Sequence, residues 1–422
     1  MMGWISVPPG DVWLRGATLP DLARVDIRIE AGRIAAIATP GTAQHGVDLA
    51  GGMVLPCFVD GHTHLDKGHI SPRAPTDGTT PGALAAVRAD HANWSAEDVR
   101  ARFEFGLACS YAHGTAAIRT HLDTYFPHAL DSWRVFRELR DAWSGRIALQ
   151  ASSICGIDGF LGDNGPRIAD LVAESGGLLG CVTLYANELG RFMPPNFGEQ
   201  FERFLTLAAD RGLDIDLHVD ETGATDAATL PRIAEVVMRA RFKGRVQVGH
   251  CCALSRQDDA TIARTIRLVA DAGIAVVSLP TCNMYLQDRA AGRTPRWRGI
   301  TLLHEFSAAG VPVSVASDNC RDPFYAYGDH DMWDVFRHAV RIAQLDHPIG
   351  RWPDAVTATP AAVMGIDAGR IAVGLPADLV LFRGRDYSET LSRSQHDRVV
   401  LRAGRAIDTA LPDYRDLDAV LA

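Results

Sequence analysis

Short apolar runs recur through the middle of the chain, at residues 54–59, 116–121, 146–151, 178–184, 213–218, 246–250, 274–279 and 311–316. Each reads as a strand. Between them, apolar positions return at helical spacing over 130–143, 168–175, 197–211, 227–242, 255–272 and 302–309. Eight strands alternating with helices predict an α/β fold, a (β/α)8 barrel of the TIM type. Periodicity alone also allows a doubly wound sheet, so the choice rests on where the chemically able residues fall.

Both chain ends carry a different pattern. Residues 11–15, 25–30 and 33–37 are strand-like, with a turn at 31–32, and 377–382 and 399–402 are of the same kind. Two β-rich ends flanking a long α/β middle predict one small β-sandwich domain built from residues 1–55 and 368–422. The barrel then occupies 56–367.

The polar residues gather at strand ends. The first run leads into Asp60-Gly61-His62-Thr63-His64, the fifth ends in Leu217-His218-Val219-Asp220-Glu221, the sixth in Gly249-His250 and the eighth in Ala316-Ser317-Asp318-Asn319. A barrel brings all these ends to one face, where barrel active sites lie. An open sheet would spread them apart. His62 and His64 are two apart on a strand and so project to the same side. They form a two-nitrogen fork to which His218 adds a nitrogen and Asp318 an oxygen, leaving room for a water, as a catalytic site requires. Imidazole suits zinc or iron.

A His-x-His pair alone is equally compatible with a structural role. Four such residues at strand ends are hard to obtain by chance. His121 ends the second strand and is expected on the pocket wall or behind the ligands. His330 and His338 fall in a helical pattern and are expected to be solvated or capping. Lys67 follows the fork, where substrate contact and a salt bridge are both open. The chain has two lysines, Lys67 and Lys243, and none in 178–184. A carboxylated lysine bridging two metals on the fourth strand is therefore excluded, which favours one metal ion.

Composition narrows the class further. With 422 residues and 47% hydrophobic positions the chain can bury a barrel-sized core. A net charge of −9 without any run of like charge gives no footprint for nucleic acid or an anionic membrane. The N-terminal segment has no basic stretch or long apolar core of a secretory signal, and no 18 apolar residues run together. Eight scattered cysteines without a CxxC pair read as reduced, buried thiols of a cytoplasmic protein. Glycine-rich phosphate-binding patterns are absent.

Longer stretches make a resemblance specific. Leu55–Lys67, written Leu-Pro-Cys-Phe-Val-Asp-Gly-His-Thr-His-Leu-Asp-Lys, is one of them. Others are Ile-Arg-Thr-His-Leu-Asp at 118–123, Leu-His-Val-Asp-Glu at 217–221, Asn-Met-Tyr-Leu-Gln-Asp-Arg at 283–289, and Ser-Asp-Asn-Cys-Arg-Asp-Pro-Phe-Tyr at 317–325. With these the chain resembles the amidohydrolase superfamily, in its cytosine deaminase-like branch, from about residue 10 to the end. The resemblance implies one divalent ion, zinc or iron, on His62, His64, His218 and Asp318. It also implies Glu221 as proton shuttle and His250 as the residue that activates water with Asp318. The expected reaction releases ammonia from an amino-substituted nitrogen heterocycle, a small-molecule substrate. A homo-oligomer is expected from the same likeness. Strict strand alternation would place Asp220, not Glu221, beside His218; the resemblance alone selects Glu221.

One departure bears on the substrate. Cytosine deaminase reads the pyrimidine edge with a glutamine just past the third strand, but this segment is Ala-Ser-Ser-Ile-Cys-Gly at 151–156, and Gln150 lies earlier. Cys155 therefore stands among the expected substrate contacts, with Asn319, His121 and Phe324, the last where the family has tryptophan. The candidate substrates are cytosine, 5-methylcytosine, a related aminopyrimidine or a pterin, with cytosine itself weakened by this departure and a triazine with an N-alkylamino group kept as an alternative. Hydrolysis of a cyclic amide is the alternative enzyme reading, and a non-catalytic barrel scaffold the alternative of another class.

Overall fold

The computed structural model describes residues 4–187 and 190–422, so the first three residues of the expected β unit lie outside the described part. Strands β1 (Val12–Thr18), β2 (Arg24–Glu30) and β3 (Arg33–Ala38) pair antiparallel in sequence, and β4 (Val47–Asp48) joins β1 in parallel. The β2–β3 turn is the expected Ala31-Gly32, both at positive φ, the conformation a two-residue hairpin needs. A Cβ on Gly32 would sit 2.8 Å from the Ala403 carbonyl oxygen, which requires glycine there.

The run expected as one strand over 54–59 is two. Strand β5 (Val54–Pro56) belongs to a sheet with the C-terminal strands, and β6 (Phe58–Thr63) begins the parallel part. The chain changes partners at Cys57. Its N–H donates to the Asp378 carbonyl at 2.9 Å, while the Phe58 N–H donates to Gly114 at 2.9 Å.

Strands β7 (Thr115–Asp123) and β8 (Ala148–Ile154) continue from β6 in parallel. A short antiparallel hairpin, β9 (Tyr185–Asn187) and β10 (Gly190–Phe192), follows. A second parallel sheet runs β11 (Ile215–Val219), β12 (Val246–His250), β13 (Ala275–Ser278) and β14 (Val313–Val315).

The expected fourth strand, 178–184, is present only as isolated parallel bridges. Leu178 and Val182 pair with Ser152 and Gly156 on one side, and Leu179 and Val182 pair with Ile215 and His218 on the other. A side chain takes over part of the missing ladder. The Ser153 hydroxyl accepts from the Gly180 N–H at 2.9 Å and donates to the Gly180 carbonyl at 3.0 Å. At the other margin Thr63 bridges to Asp318 in parallel, and the Asp318 N–H donates to the His62 carbonyl at 2.9 Å.

The C-terminal strands β15 (Leu379–Leu381), β16 (Val399–Arg402) and β17 (Arg405–Ala406) complete the sheet that starts at β5. Leu14, Ile27 and Ile29 from one terminus share a hydrophobic cluster with Leu379, Leu381 and Leu401 from the other. The last turns do not join them. Leu417, Val420 and Leu421 pack on Phe105 and Cys109 of the helix Ala96–Ala112. That helix was hidden in the sequence pattern because it buries Asp98, Arg102 and Ser110 beside Phe103 and Leu107. All eight cysteines are buried and unbridged. Among the described residues no helix is long and apolar enough to cross a membrane.

Candidate metal centre

The ends of β6, β11 and β14 bring four side chains together. The Nε2 atoms of His62 and His218 lie 3.2 Å apart, and those of His218 and His64 lie 3.3 Å apart. Asp318 Oδ1 is 3.2 Å from His64 Nε2 and 3.6 Å from His62 Nε2. Ligands roughly 2.0–2.2 Å from a tetrahedral ion are about 3.3–3.6 Å from one another, so the spacing fits an ion at their centre. Their bonding fits as well. Both carboxylate oxygens of Asp318 are buried without a hydrogen-bond partner among the described residues, and the three Nε2 atoms face only one another and that carboxylate. Burial drives the three imidazoles well below their usual pKa, so each is neutral and keeps a lone pair. Burial also pushes the Asp318 carboxyl up to about 6, with His250 opposing. Buried polar groups without partners are costly, and a cation would supply what this group lacks.

Backbone strain shapes the strand ends. Asp220, His250 and Asp318 all have positive φ, at 48°, 67° and 64°. Non-glycine residues hold that conformation only where surrounding structure imposes it. At Asp220 it resolves the competition with Glu221. The bend turns the Asp220 carboxylate away to accept from Thr229 N at 3.0 Å, Thr229 Oγ1 at 2.6 Å and Leu230 N at 3.0 Å. Asp220 thereby caps the helix Thr229–Ala240, and Glu221 takes the place in the pocket.

Glu221 lines the same pocket as His64, His218, His250, Asp318, Asn319 and Phe324. Burial raises its carboxyl, but the Arg191 guanidinium beside it, helped by His250, more than reverses this and holds it below the ordinary carboxylate range. His250 is oriented from behind. Its Nδ1 donates to Asn283 Oδ1 at 2.8 Å, and the Asn283 amide in turn donates to the Gly299 carbonyl at 3.0 Å, which fixes both the amide and the imidazole tautomer. His250 Nε2 is buried without a hydrogen-bond partner among the described residues.

Asp60 ties the frame together. It accepts from both the backbone N–H and the hydroxyl of Ser317, joining the end of β6 to the residue before Asp318. Lys67 forms the salt bridge: its Nζ donates to Asp123 at 2.9 Å and lies 5.3 Å from the Phe324 ring centroid.

Two expected substrate contacts lie elsewhere. His121 is fully buried behind His62, with ring centroids 3.9 Å apart, and does not face the pocket. Its Nε2 lies instead 3.7 Å from the buried Asp216 Oδ1. Cys155 lines an adjoining cavity of about 470 Å³, beside Tyr125, Tyr185 and Arg191. Gln150 is also remote from the pocket, since it bonds Arg119 and the Met364 carbonyl. His330 was expected on a solvated face but precedes the helix Met332–Ala343 and is buried; His338 is indeed half exposed, beside Asp334. Sequence reasoning missed Arg191 and Asn283. Arg191 stands on a two-strand hairpin with no motif, and its role exists only through the fold. Asn283 lay in a stretch singled out for its resemblance, without an assigned partner.

Comparison with known proteins agrees with this geometry. The amidohydrolase family pattern matches residues 45–131 and 162–406. The chain is 54% identical to a pterin deaminase of Rhizobium rhizogenes over 419 residues, 97% of this chain and 94% of that one. Its fold superposes on 5-methylcytosine deaminase from Klebsiella pneumoniae with a TM-score of 0.81 at 23% identity, over 94% of this chain and 97% of that one. It also superposes on N-isopropylammelide isopropylaminohydrolase from Burkholderia multivorans with a TM-score of 0.75 at 25% identity, over 96% and 100% of the two chains.

Proposed function

Since this chain belongs to the amidohydrolase family, we propose that it is a hydrolytic deaminase whose substrate is a pterin. That it is a hydrolase of carbon–nitrogen bonds outside peptides, acting on an aminated heterocycle, follows from its relatives. The choice of a pterin rests on the 54% identity to a pterin deaminase. It is supported by the lack of a glutamine at the pocket in the segment 151–156.

The reaction adds water across the bond between ring carbon and exocyclic amine. Oxygen bonds to the carbon, the amine leaves as ammonia, and the product carries a carbonyl. His62, His64, His218 and Asp318 would hold one divalent ion, zinc or iron, which when bound lowers the pKa of a water towards neutrality. The unpaired His250 Nε2, held by Asn283, orients that water and with Asp318 draws its proton away. Glu221, ionised at rest, receives one of the water's two protons and delivers it to the ring nitrogen next to the reacting carbon. Protonation there makes the carbon electrophilic, and the water's other proton, taken up by His250 and Asp318, passes to the amine so that neutral ammonia departs. General acid–base transfer of this kind contributes roughly two to four orders of magnitude in rate.

The same reading takes the two parallel sheets as parts of one (β/α)8 barrel, residues 56–367, closed through 178–182 and the Thr63–Asp318 bridge. Asn319 and Phe324, on the loop after β14, would contact the heterocycle.

Ammonia release from zinc- or iron-loaded protein tests the proposal, with pterin, cytosine, 5-methylcytosine, isoguanine, creatinine and aminotriazines as substrates. Pterin turnover above the others is expected. Release of isopropylamine from N-isopropylammelide, with no ammonia from pterin, would transfer the assignment to the N-alkylamine chemistry named for the Burkholderia relative.

A further inference from the structure

A second group of metal-binding side chains lies outside the pocket just described. The ligating atoms of His69, Cys320 and His330 all lie within 4.8 Å of one another, and all three residues are buried. Among the described residues, neither ring nitrogen of His69 nor of His330 has a hydrogen-bond partner, although the two side chains are 1% and 2% exposed. Four unpaired nitrogens in two adjacent buried rings are not how imidazole is normally accommodated in a core. The rings face one another, with centroids 5.4 Å apart.

We propose that His69, Cys320 and His330 hold a second metal ion of the zinc class, outside the substrate pocket. Mixed thiolate and imidazole ligands select zinc over magnesium or calcium. Ligands on a tetrahedral zinc lie roughly 3.3–3.8 Å apart, so a group whose ligating atoms lie within 4.8 Å of one another would close slightly on the ion. Cys320 would bind as thiolate, releasing its proton to solvent as the ion enters.

The site would join two loops that carry the catalytic ligands. His69 lies five residues after His64, and Cys320 two after Asp318. The loops already meet through His69 N–H donating to the Cys320 carbonyl at 3.0 Å and Ser71 N–H donating to the Arg321 carbonyl at 2.9 Å. His69, Arg321 and His330 all have positive φ. Helix Ala96–Ala112 closes one side at Gly106, where a Cβ would come within 3.0 Å of His330 Nε2. An ion here would hold the loops in register without touching substrate.

Cobalt(II) titration of the chelator-treated full chain provides the test, with bound metal counted by mass spectrometry. Two ions per chain are expected, one giving the near-ultraviolet charge-transfer absorption of a cobalt–thiolate bond. Cys320→Ser should lose that absorption and one ion, and His330→Gln should lose one ion even if the serine variant fails to fold. His218→Ala should keep the absorption. It should also survive Cys282→Ala, since Cys282, 3.5 Å from Asn319 Oδ1, is the sulfur beside the catalytic pocket. A single ion in the unaltered protein, or an absorption that persists in Cys320→Ser, would overturn the proposal.

Discussion

Arg191 reaches from the β9–β10 hairpin into the pocket and pairs with the carboxylate of Glu221, both side chains being about 95% buried. It lines both the pocket and the larger cavity next to it, so it stands between the two. It is also the charge that keeps Glu221 ionised against the effect of burial. Arg191→Met should therefore raise the Glu221 pKa. Because Glu221 must be ionised to receive a proton, the acidic limb of kcat/KM should move to higher pH. Rate measurements between pH 4 and 8 would check this, and an unmoved limb would show that another group sets it.

Replacing Glu221 by glutamine keeps shape and removes the proton carrier. Metal content should stay at the level of the unaltered protein, while kcat falls by about 10²–10⁴. Loss of metal together with retained turnover would assign Glu221 to coordination instead.

Asn283 acts through His250. Asn283→Ala removes the acceptor that fixes the Nδ1 proton and the ring's orientation. Supporting residues around metal sites are commonly worth about 10–100-fold, and a fall of that size in kcat is expected with unchanged metal. Asn283→Asp retains an acceptor and should recover part of the rate.

Asp220 is a structural neighbour of the chemistry rather than part of it. Asp220→Ala deletes three hydrogen bonds at the start of helix Thr229–Ala240. A loss of about 2 kcal/mol is expected, the size of a strong cap. Thermal denaturation would show it, whereas Asp220→Asn, which keeps an acceptor and tolerates positive φ, should lose less.

Asp331 gives a pH dependence with a definite sign. Burial raises its carboxyl, but Arg398 and His113 outweigh this and lower it from 3.8 to about 2. A group lowered in the folded state stabilises above its ordinary pKa, and that stability fades as pH falls from about 4 through 2. The shift corresponds to about 2 kcal/mol. Asp331→Asn should lower the denaturation midpoint at pH 7 and flatten its fall between pH 4 and 2. Equal acid sensitivity in both proteins would assign the effect to other carboxylates.

Much of the site was readable along the chain. A strand's two-residue period puts His62 and His64 on one side, and the placement of His218, His250 and Asp318 at or just past the ends of β11, β12 and β14 follows from where the apolar runs stop. These are local properties, set by side-chain alternation and by how far a run of apolar residues extends. The alternation of strands and helices carried the α/β architecture for the same reason.

What local pattern could not carry depends on contacts between distant residues. The positive φ at Asp220 reverses strict alternation, and it is held by Thr229 and Leu230 on the following helix. Segment 178–184 reads as a strand by composition, yet the Ser153 hydroxyl takes part of its pairing. His121 ends a strand as His218 does, but packing behind His62 hides it. Arg191 meets Glu221, and His69 meets His330, only because loops far apart in sequence fold over one another. Sequence alone determined which residues stand at the strand ends, since backbone geometry repeats locally. Tertiary structure decided which of them face the pocket, because burial, strain and pairing are settled by neighbours the local sequence does not contain.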